Sequence, residues 1–282
     1  SSYKNSSMLI HQSLQHAAGK GLERLDAQLL LLHALGQSDA GRAWLIAHDD
    51  NALSSAQQAA FEGLVQRRLG GEPVAYLLGE KEFRGLTLQV DSRVLIPRPD
   101  TETLVDWALE LLQGQRAPLV LDLGTGSGAI ALAIKHYCPQ AQVTATDASP
   151  EALQVARANA QALGLQVTFT QSDWLGSVPH QFHLIASNPP YIAEGDEHLA
   201  ALTHEPASAL SSGTDGLQDI RCIISQAPQH LHLGGWLLLE HGYDQAAAVR
   251  ALLEQAGFAQ VQSRQDLAGI ERVSGGRWQE AR

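Results

Sequence analysis

The chain has 282 residues, of which 44% are hydrophobic and 17% are charged, and it carries a formal net charge of −11. This length accommodates a full α/β domain and a smaller second domain. No apolar run approaches the roughly 20 residues that span a bilayer, and no cluster of lysine and arginine builds the basic face that tight nucleic-acid binding requires. We therefore expect neither membrane insertion nor direct nucleic-acid binding, and we expect a monomer.

The cysteines and histidines suggest neither a disulfide nor a metal centre. Cys138 and Cys222 lie far apart in the sequence and match no metal or disulfide spacing, so we expect two reduced core residues in a cytoplasmic protein. The twelve histidines form no close ligand pair, and we predict no metal site. Residues 1–7 are polar and precede the only methionine. No signal peptide is expected there, and Met8 is interpreted as the natural start.

The first predicted domain, residues 8–71, is a small helical bundle. Apolar residues recur at three- to four-residue spacing in one predicted helix, at Leu25, Leu29, Leu32 and Leu35. Trp44 begins a second apolar group. Ser54 and Ser55 are candidate caps for a third helix that carries Phe61, Leu64, Val65 and Leu69. Such stripes are typical of a core rather than of a ligand site.

Residues 72–95 are predicted to form a β-hairpin linker, because residues 72–77 and 83–90 look extended around Gly79 and Gly85. From residue 96 to residue 282, strands alternate with helices, which predicts a doubly wound, mainly parallel α/β sheet. The final two strands lack a helix between them and should form an antiparallel edge hairpin. The predicted strands are 118–123, 142–147, 165–171, 182–187, 235–240, 259–264 and 271–277, and the predicted helices are 101–113, 128–137, 150–162, 217–231 and 244–256.

A glycine-rich turn follows the first strand of this sheet. Its residues are Gly124, Thr125, Gly126, Ser127 and Gly128. Glycines permit a positive φ and close approach of a ligand, but the G-x-G-x-G spacing differs from the G-x-G-x-x-G of dinucleotide sites. Asp122 precedes the turn, and a carboxylate there should repel a pyrophosphate and favour a sulfonium or ammonium group. The pattern therefore favours S-adenosylmethionine over a nicotinamide cofactor.

Acidic and aromatic residues follow the next two strands. Asp147 ends the second strand, where an acid can accept both ribose hydroxyls; the alternative is that it caps the helix beginning near Pro150. Asp173 is placed to accept a hydrogen bond from an adenine amine. Trp174 could cover the adenine ring, although a core tryptophan is an equally good interpretation.

The fourth strand ends in Asn188, Pro189, Pro190 and Tyr191. Proline fixes φ and holds its predecessor extended. This corner should therefore present the Asn188 side-chain oxygen and the Pro189 carbonyl beside the Tyr191 ring, which suits a planar group bearing an NH2. An ordinary turn is the simpler alternative. Ligands of such sheets bind at the carboxyl ends of the strands, so all four loops should face one crevice.

Taken together, these segments resemble the peptide chain release factor glutamine methyltransferases, the PrmC/HemK family, over residues 8–278. The resemblance is carried by residues 96–102 (IPRPDTE), 121–132 (LDLGTGSGAIAL), 171–174 (QSDW), 187–192 (SNPPYI) and 237–242 (LLLEHG). The Asn-Pro-Pro-Tyr sequence alone also occurs in enzymes that methylate adenine amines. The IPRPDTE segment beside it points to this family.

The resemblance implies a helical N-terminal domain that docks the release factor, a hairpin linker and a Rossmann-like catalytic domain with a seven-stranded sheet. It also implies transfer of a methyl group from S-adenosylmethionine, with S-adenosylhomocysteine as product, to the glutamine of the Gly-Gly-Gln motif in bacterial class 1 release factors. The cofactor contacts would come from Asp122, residues 124–128, Asp147, Asp173, Trp174 and Asn188. The glutamine would be held by Asn188, Pro189, Pro190 and Tyr191, with Asn188, Pro189 and Tyr191 acting in the chemistry.

One segment departs from the family pattern. The family carries a basic residue in a V-R-[FY]-E-P stretch, whereas residues 202–206 here read LTHEP and the connection is about two residues shorter. Three other functions remain open from the residues alone: methylation of adenine amines on DNA or RNA, nicotinamide-dependent oxidoreduction, and cofactor binding without catalysis. The acidic composition argues against the first, because it would repel phosphates.

Overall fold

The computed structural model describes residues 7–279, which divide into two compact units after Gly79. Each unit has its own hydrophobic core. One core draws on residues between Ile10 and Leu78, and two others draw on residues between Phe83 and Trp278. The sequence predicts Met8 as the natural start. Of the residues before it, 1–6 lie outside the described part of the chain.

The first unit is helical. Its helices are α1 (Ile10–Gly19), α2 (Arg24–Ala34), α3 (Arg42–Ala47), α4 (Ser55–Leu69) and α5 (Val74–Leu78). The predicted cap of α4 is confirmed, since the Ser54 side chain accepts a hydrogen bond from the Gln57 N–H. The predicted apolar stripe of α2 is partly wrong. The buried face follows Ala27, Leu30 and Leu31, and this face turns Leu25 to solvent.

Residues 72–77, predicted to be extended, are mostly helical, and that prediction is wrong. Pro73 has extended angles and immediately precedes α5, where proline's fixed φ favours a helix start. Gly79 ends the helix in the left-handed conformation with φ of 75°. Leu77 is buried in the core of the first unit. This tertiary burial decides the conformation of a five-residue segment whose periodicity was too short to distinguish helix from strand.

The first unit also contains a group of possible metal ligands. Within residues 7–279, His11, Asp49 and Asp50 are the only three such side chains whose ligand atoms lie within 4.8 Å of one another, and both aspartates are exposed. The His11 Nδ1 atom is 2.9 Å from the Asp49 carbonyl oxygen. The absence of a metal site remains a prediction from sequence spacing.

The second unit begins with a hairpin, as predicted, but its first strand lies after the predicted segment 72–77. Strands β1 (Glu80–Phe83) and β2 (Leu86–Gln89) pair antiparallel. The two turn residues, Arg84 and Gly85, have φ of 45° and 82°, as a tight hairpin turn requires.

A seven-stranded sheet forms the centre of the second unit, in the order β5-β4-β3-β6-β7-β9-β8. All neighbouring pairs are parallel except the two that involve β9, which confirms the predicted edge hairpin. The strands are β3 (Leu119–Leu123), β4 (Gln142–Asp147), β5 (Thr168–Gln171), β6 (Phe182–Ser187), β7 (Leu231–Glu240), β8 (Ala259–Gln265) and β9 (Glu271–Arg277). The helices are α6 (Thr101–Leu112), α7 (Ala129–Tyr137), α8 (Pro150–Leu163), α9 (Gln218–Gln226) and α10 (Ala246–Gln255).

Two apolar layers cover the sheet. Helices α6 and α7 contribute to one hydrophobic cluster with β3, β4 and β6, and α9 and α10 contribute to the other. Helix α9 ends five residues before the predicted end at residue 231, because Pro228 lacks an N–H and interrupts the helical ladder. Strand β7 then begins at Leu231, four residues earlier than predicted.

The strand order places the carboxyl ends of β3 and β6 side by side. The chain runs outward from β3 through β4 to β5, then returns to β6 and continues to β7 on the other side. Leu123 at the end of β3 pairs with Ser187 at the end of β6. A crevice forms where the direction of winding reverses, and the loops after β3 and β6 both open onto it.

The remaining expectations about the whole chain have mixed outcomes. No helix within residues 7–279 is both long and apolar enough to cross a membrane. Both cysteines are free, but only Cys138 lies in the core. Cys222 is half-buried, so the prediction of two core cysteines is correct for one.

Candidate active site

The glycine turn after β3 is tied to the neighbouring strand β4. Gly124 and Gly126 have φ of 67° and 55°, which residues with a side chain adopt at a cost. The Thr125 N–H donates to the Thr146 carbonyl at 2.8 Å, and the Gly126 N–H donates to Asp147 Oδ2 at 2.9 Å. These bonds fix the turn as a rigid wall of the crevice.

Two predicted cofactor residues, Asp122 and Gly128, lie behind this wall. Asp122 is fully buried, and its Oδ2 accepts hydrogen bonds from the Thr125 hydroxyl at 2.7 Å and from the Ala131 N–H at 3.1 Å. Burial raises the pKa of its carboxyl group to about 7. A Cβ at Gly128 would lie 3.0 Å from Leu132 Cδ1. In this structure, therefore, Asp122 braces the turn and Gly128 serves close packing, and neither lines the crevice.

The crevice contains a cavity of about 480 Å³, a volume typical of small-molecule sites. Three carboxylates line it, Asp147, Asp173 and Asp219, against the single guanidinium of Arg93, which is itself paired with Asp91. This charge balance suits a cationic ligand without phosphates. The other predicted cofactor residues line the same cavity, namely Gly124, Thr125, Gly126, Ser127, Asp147, Asp173, Trp174 and Asn188.

Asp147 holds both the glycine turn and the turn that leads into α8. Its Oδ2 accepts from the Gly126 N–H, and its Oδ1 accepts from the Ser149 N–H at 3.0 Å. The helix cap itself is Ser149, whose hydroxyl accepts from the Ala152 N–H. Each carboxylate oxygen can accept a second hydrogen bond. The half-buried Asp147 therefore remains able to bind ribose hydroxyls.

Trp174 has a strained backbone and a fixed ring. Its φ is 48°, an uncommon value for an aromatic residue and one often found at functional sites. Its indole N–H donates to Asp219 Oδ1 at 3.0 Å, and the other carboxylate oxygen of Asp219 accepts from the Ser212 hydroxyl at 2.6 Å. The ring packs against a core cluster, as the core interpretation predicts, and it also lines the cavity; contact with an adenine ring stays a prediction.

The corner after β6 separates this cavity from a second one of about 310 Å³. Asn188 lines both cavities, and its Oδ1 atom is buried without a hydrogen-bond partner. Pro189 and Tyr191 line the second cavity, whereas Pro190, predicted to bind substrate, lines the first. Buried polar atoms in proteins are nearly always paired, so an unpaired acceptor between two cavities points to a ligand group that it receives.

Hydrogen bonds and close packing hold the corner after β6 in place. The Ser187 hydroxyl donates to the Leu123 carbonyl at 2.7 Å, and the Gln245 side chain donates to the Tyr191 carbonyl at 3.0 Å. Gly216 lies so close to this corner that a Cβ there would be 2.2 Å from the backbone carbonyl oxygen of Tyr191. Burial raises the pKa of the Tyr191 hydroxyl, and the phenol stays protonated at neutral pH.

An ion pair joins the segment around Arg98 to the 202–206 segment. Glu205 is buried, and its carboxylate accepts hydrogen bonds from the Arg98 guanidinium and from the Ile96 N–H. Thr203 and His204, which stand where the family pattern has its basic and aromatic residues, are exposed. The basic and aromatic residues of the family pattern are thus replaced at exposed positions, and its glutamate, Glu205, has a structural role.

Three residues near the cavities were given no role in the sequence analysis. Thr101 and Asp219 line the first cavity and Glu240 lines the second. Thr101 and Glu240 lie within segments that carried the family resemblance, so a signal was present. Asp219 lies in a helix with no distinctive motif, and only the fold brings it to Trp174.

Models of known protein families match parts of both units. A model of the methyltransferase small domain matches residues 103–264, and a model of the PrmC N-terminal domain matches residues 11–79. A release factor glutamine methyltransferase from Bordetella pertussis is 55% identical over 263 residues, covering 92% of this chain and 96% of the relative. A release factor glutamine methyltransferase from Xylella fastidiosa is 51% identical, covering 94% of this chain and 97% of the relative.

A solved structure shares the fold of the second unit. The 16S rRNA methyltransferase of T. thermophilus, in complex with AdoMet and guanosine, aligns with a TM-score of 0.52 at 19% identity, covering 71% of this chain and 50% of that one. At this identity the likeness concerns the fold alone.

Proposed function

Because the chain belongs to the release factor glutamine methyltransferase family, we propose that it transfers a methyl group from S-adenosylmethionine to the side-chain nitrogen of the glutamine in the Gly-Gly-Gln motif of bacterial class 1 release factors. One observation supports this activity at this site: the Oδ1 atom of Asn188, between the two cavities, is buried and has no hydrogen-bond partner.

The first cavity fits S-adenosylmethionine, which supplies a methyl group on a sulfonium when bound. Asp147 would accept the ribose hydroxyls, and Trp174 would cover the adenine ring with Asp173 beside it. The three carboxylates would favour the cationic sulfonium and ammonium groups. Gly124 and Gly126 allow close approach of the ligand to the backbone. Asp122 would act through the turn that it braces.

The second cavity would receive the glutamine side chain. The Asn188 side-chain oxygen and the Pro189 carbonyl would accept the two hydrogens of the amide NH2, and Tyr191 would pack against the amide plane. An amide nitrogen is a poor nucleophile because its lone pair is delocalised into the carbonyl, so placement must supply much of the rate. Fixing the reacting atoms in line can lower a barrier by roughly 7–11 kcal/mol in favourable cases.

The same two acceptors would also stabilise charge during transfer. Positive charge develops on the nitrogen as its bond to the methyl carbon forms and the carbon–sulfur bond breaks. Oriented oxygen dipoles in a site that excludes water stabilise such charge strongly. The nitrogen then loses one proton to water, which leaves a neutral N-methyl amide.

Mass spectrometry of a release factor after incubation with enzyme and S-adenosylmethionine tests this function. We expect one added methyl group on the Gly-Gly-Gln glutamine and none on a factor in which that glutamine is replaced. Parallel incubation of DNA and RNA with labelled donor tests adenine methylation. Methylation of nucleic acid without methylation of the release factor would overturn the proposal.

Release factors act where translation ends, so we further propose a cytoplasmic location. A monomeric state is also proposed; light scattering of the purified protein would test it.

A further inference from the structure

Glu240 is a buried acid with unused hydrogen-bonding capacity at the second cavity. It is the last residue of β7, is 1% exposed and lines that cavity beside Asn188 and Tyr191. Its Oε1 atom has no hydrogen-bond partner. Leaving a buried carboxyl oxygen unpaired costs free energy, and the scheme above gives this residue no role.

The groups that face Glu240 come from four parts of the second unit. Asp100 and Thr101 lie at the start of α6, Tyr191 follows β6, Arg272 lies on β9 and Arg98 lines the same cavity. The Thr101 and Tyr191 hydroxyls are close enough to favour the charged form of Glu240, but the Thr101 hydroxyl forms no well-oriented hydrogen bond.

Neither arginine neutralises Glu240 directly. Arg272 pairs with Asp266 at 3.1 Å and lies 3.7 Å from Asp100. Arg98 is committed to Glu205 and to the Ile96 carbonyl. Burial therefore dominates, and together with Asp100 it raises the pKa of Glu240 to about 7. At and below neutral pH a large part of Glu240 is a neutral carboxyl group, which can donate a hydrogen bond.

A glutamine side chain needs such a donor. The two acceptors of the Asn188–Pro189 corner account for both hydrogens of its NH2, and its carbonyl oxygen is left without a partner. Arg98 is already engaged, and Asp100 is a carboxylate on the rim. Among the described side chains that line this cavity, the Asn188 NH2 group, the Tyr191 hydroxyl and a protonated Glu240 can donate, and of these three residues only Glu240 is buried as a whole and has an unpaired oxygen.

We propose that Glu240 is a specificity-determining residue of the acceptor pocket, whose carboxyl group donates a hydrogen bond to the carbonyl oxygen of the substrate glutamine. The inference rests on the function proposed above. It also explains selection of an amide over a carboxylate: a glutamate side chain would place two anionic acceptors against the Asn188 oxygen, the Pro189 carbonyl and Glu240. A site built to pair with one polar group rejects an analogue that leaves its own groups unpaired.

The test compares E240Q and E240L with wild type in release-factor methylation between pH 6 and pH 8.5. For wild type, kcat/KM should fall about tenfold per pH unit above about pH 7, as Glu240 loses its proton. E240Q keeps a donor at every pH, so its profile should lose this fall and exceed wild type at pH 8.5. E240L should raise KM for the release factor at least tenfold with the affinity for S-adenosylmethionine unchanged.

E254Q, on the exposed face of α10, is the matched control and should keep the wild-type profile. Calorimetric binding of S-adenosylmethionine and thermal unfolding confirm that each variant is folded. A fall above pH 7 that persists unchanged in E240Q would overturn the proposal, and so would an unchanged KM in E240L. Failure of wild type to methylate release factor at any pH would instead refute the proposed function.

Discussion

In the free protein, the Oδ1 atom of Asn188 is a buried hydrogen-bond acceptor without a donor. A polar atom of this kind destabilises the folded state by about 1–3 kcal/mol, and its persistence between two cavities is the pattern expected where binding, rather than folding, uses the group. Glu240 Oε1 is in the same state. The corner is rigid because β6 and two prolines fix it before any ligand arrives, so little reorganisation should accompany binding.

Replacement of Asn188 by alanine separates function from stability. The side chain makes no hydrogen bond through Oδ1 in the free protein, so we expect Tm to be unchanged or higher. Turnover should fall by about 10²–10³-fold, the size seen when one oriented transition-state partner is removed, with a smaller loss of cofactor affinity. Stopped-time methylation assays and calorimetry measure the two effects. Near-wild-type turnover would contradict the role given to Asn188.

Gly124 offers a second test at the level of one residue. Its φ is 67°, and a Cβ there would lie 3.2 Å from the Trp174 ring. Gly124→Ala should therefore displace the ring and weaken S-adenosylmethionine binding more than tenfold. Gly164 has a matching φ of 65° with no atom within 4 Å of a Cβ, so Gly164→Ala should cost about 1–2 kcal/mol of stability and leave cofactor affinity intact. Equal affinity losses in both variants would refute a role for the ring.

At the scale of elements, the active site is assembled from segments that are remote in sequence. The ends of β3, β4 and β6 supply the two walls, and helix α9 supplies Asp219, which orients Trp174. The Arg98–Glu205 pair closes the segment before α6 onto the segment after β6. Since these two segments line both cavities, their closure should order the approach of the glutamine to the methyl donor.

Breaking this ion pair should loosen the closure. Arg98→Met leaves Glu205, whose side chain is 3% exposed, without its cation. We expect the free energy of unfolding to fall by about 1–3 kcal/mol. This is less than for a fully buried pair, because the Arg98 side chain is 36% exposed. Hydrogen exchange should quicken in residues 197–212. Arg221→Met, at an exposed pair with Asp215, is the control and should leave the free energy of unfolding almost unchanged.

The double variant Arg98→Met with Glu205→Gln completes this test. Removing the buried charge should recover part of the stability lost in the single variant. If the double variant is no more stable than Arg98→Met, the loss does not come from an uncompensated carboxylate.

At the scale of the whole molecule, the two units have separate cores. Residues 91–282, which make up most of the second unit, hold 11 of the 19 basic residues and 21 of the 30 acidic ones, so the second unit carries most of the negative charge. Acidic surface repels the phosphates of nucleic acid, so the second unit suits a protein partner better than it suits DNA or RNA. The helical unit carries no charge excess of that size, and its proposed role is protein docking.

A chain that begins at Glu80 tests the role of the helical unit. Because the second unit contains its own cores, we expect this shortened chain to fold and to methylate a short Gly-Gly-Gln peptide at the rate of the full chain. Its kcat/KM for whole release factor should fall at least tenfold. Circular dichroism and cofactor binding verify folding. Equal losses on peptide and protein would assign the helical unit to stability alone.

The sequence by itself determined the sheet and most of the loop residues that line the first cavity. Strand ends followed by Gly124, Asp147, Trp174 and Asn188 have a strong local signal, since apolar runs, glycines and prolines act within a few residues. The same local rules wrongly predict an extended conformation for residues 72–77. This segment is mostly helical, because Leu77 is buried in the core of the first unit.

Only the tertiary structure decided which side chains line the two cavities. It moved Asp122 behind the glycine turn, brought Asp219 to Trp174 and placed Glu240 beside Asn188. It also showed that Asn188 and Glu240 keep buried oxygens unpaired. Sequence spacing cannot carry this information, because burial and hydrogen-bond satisfaction depend on strand order and on contacts between residues more than 40 positions apart.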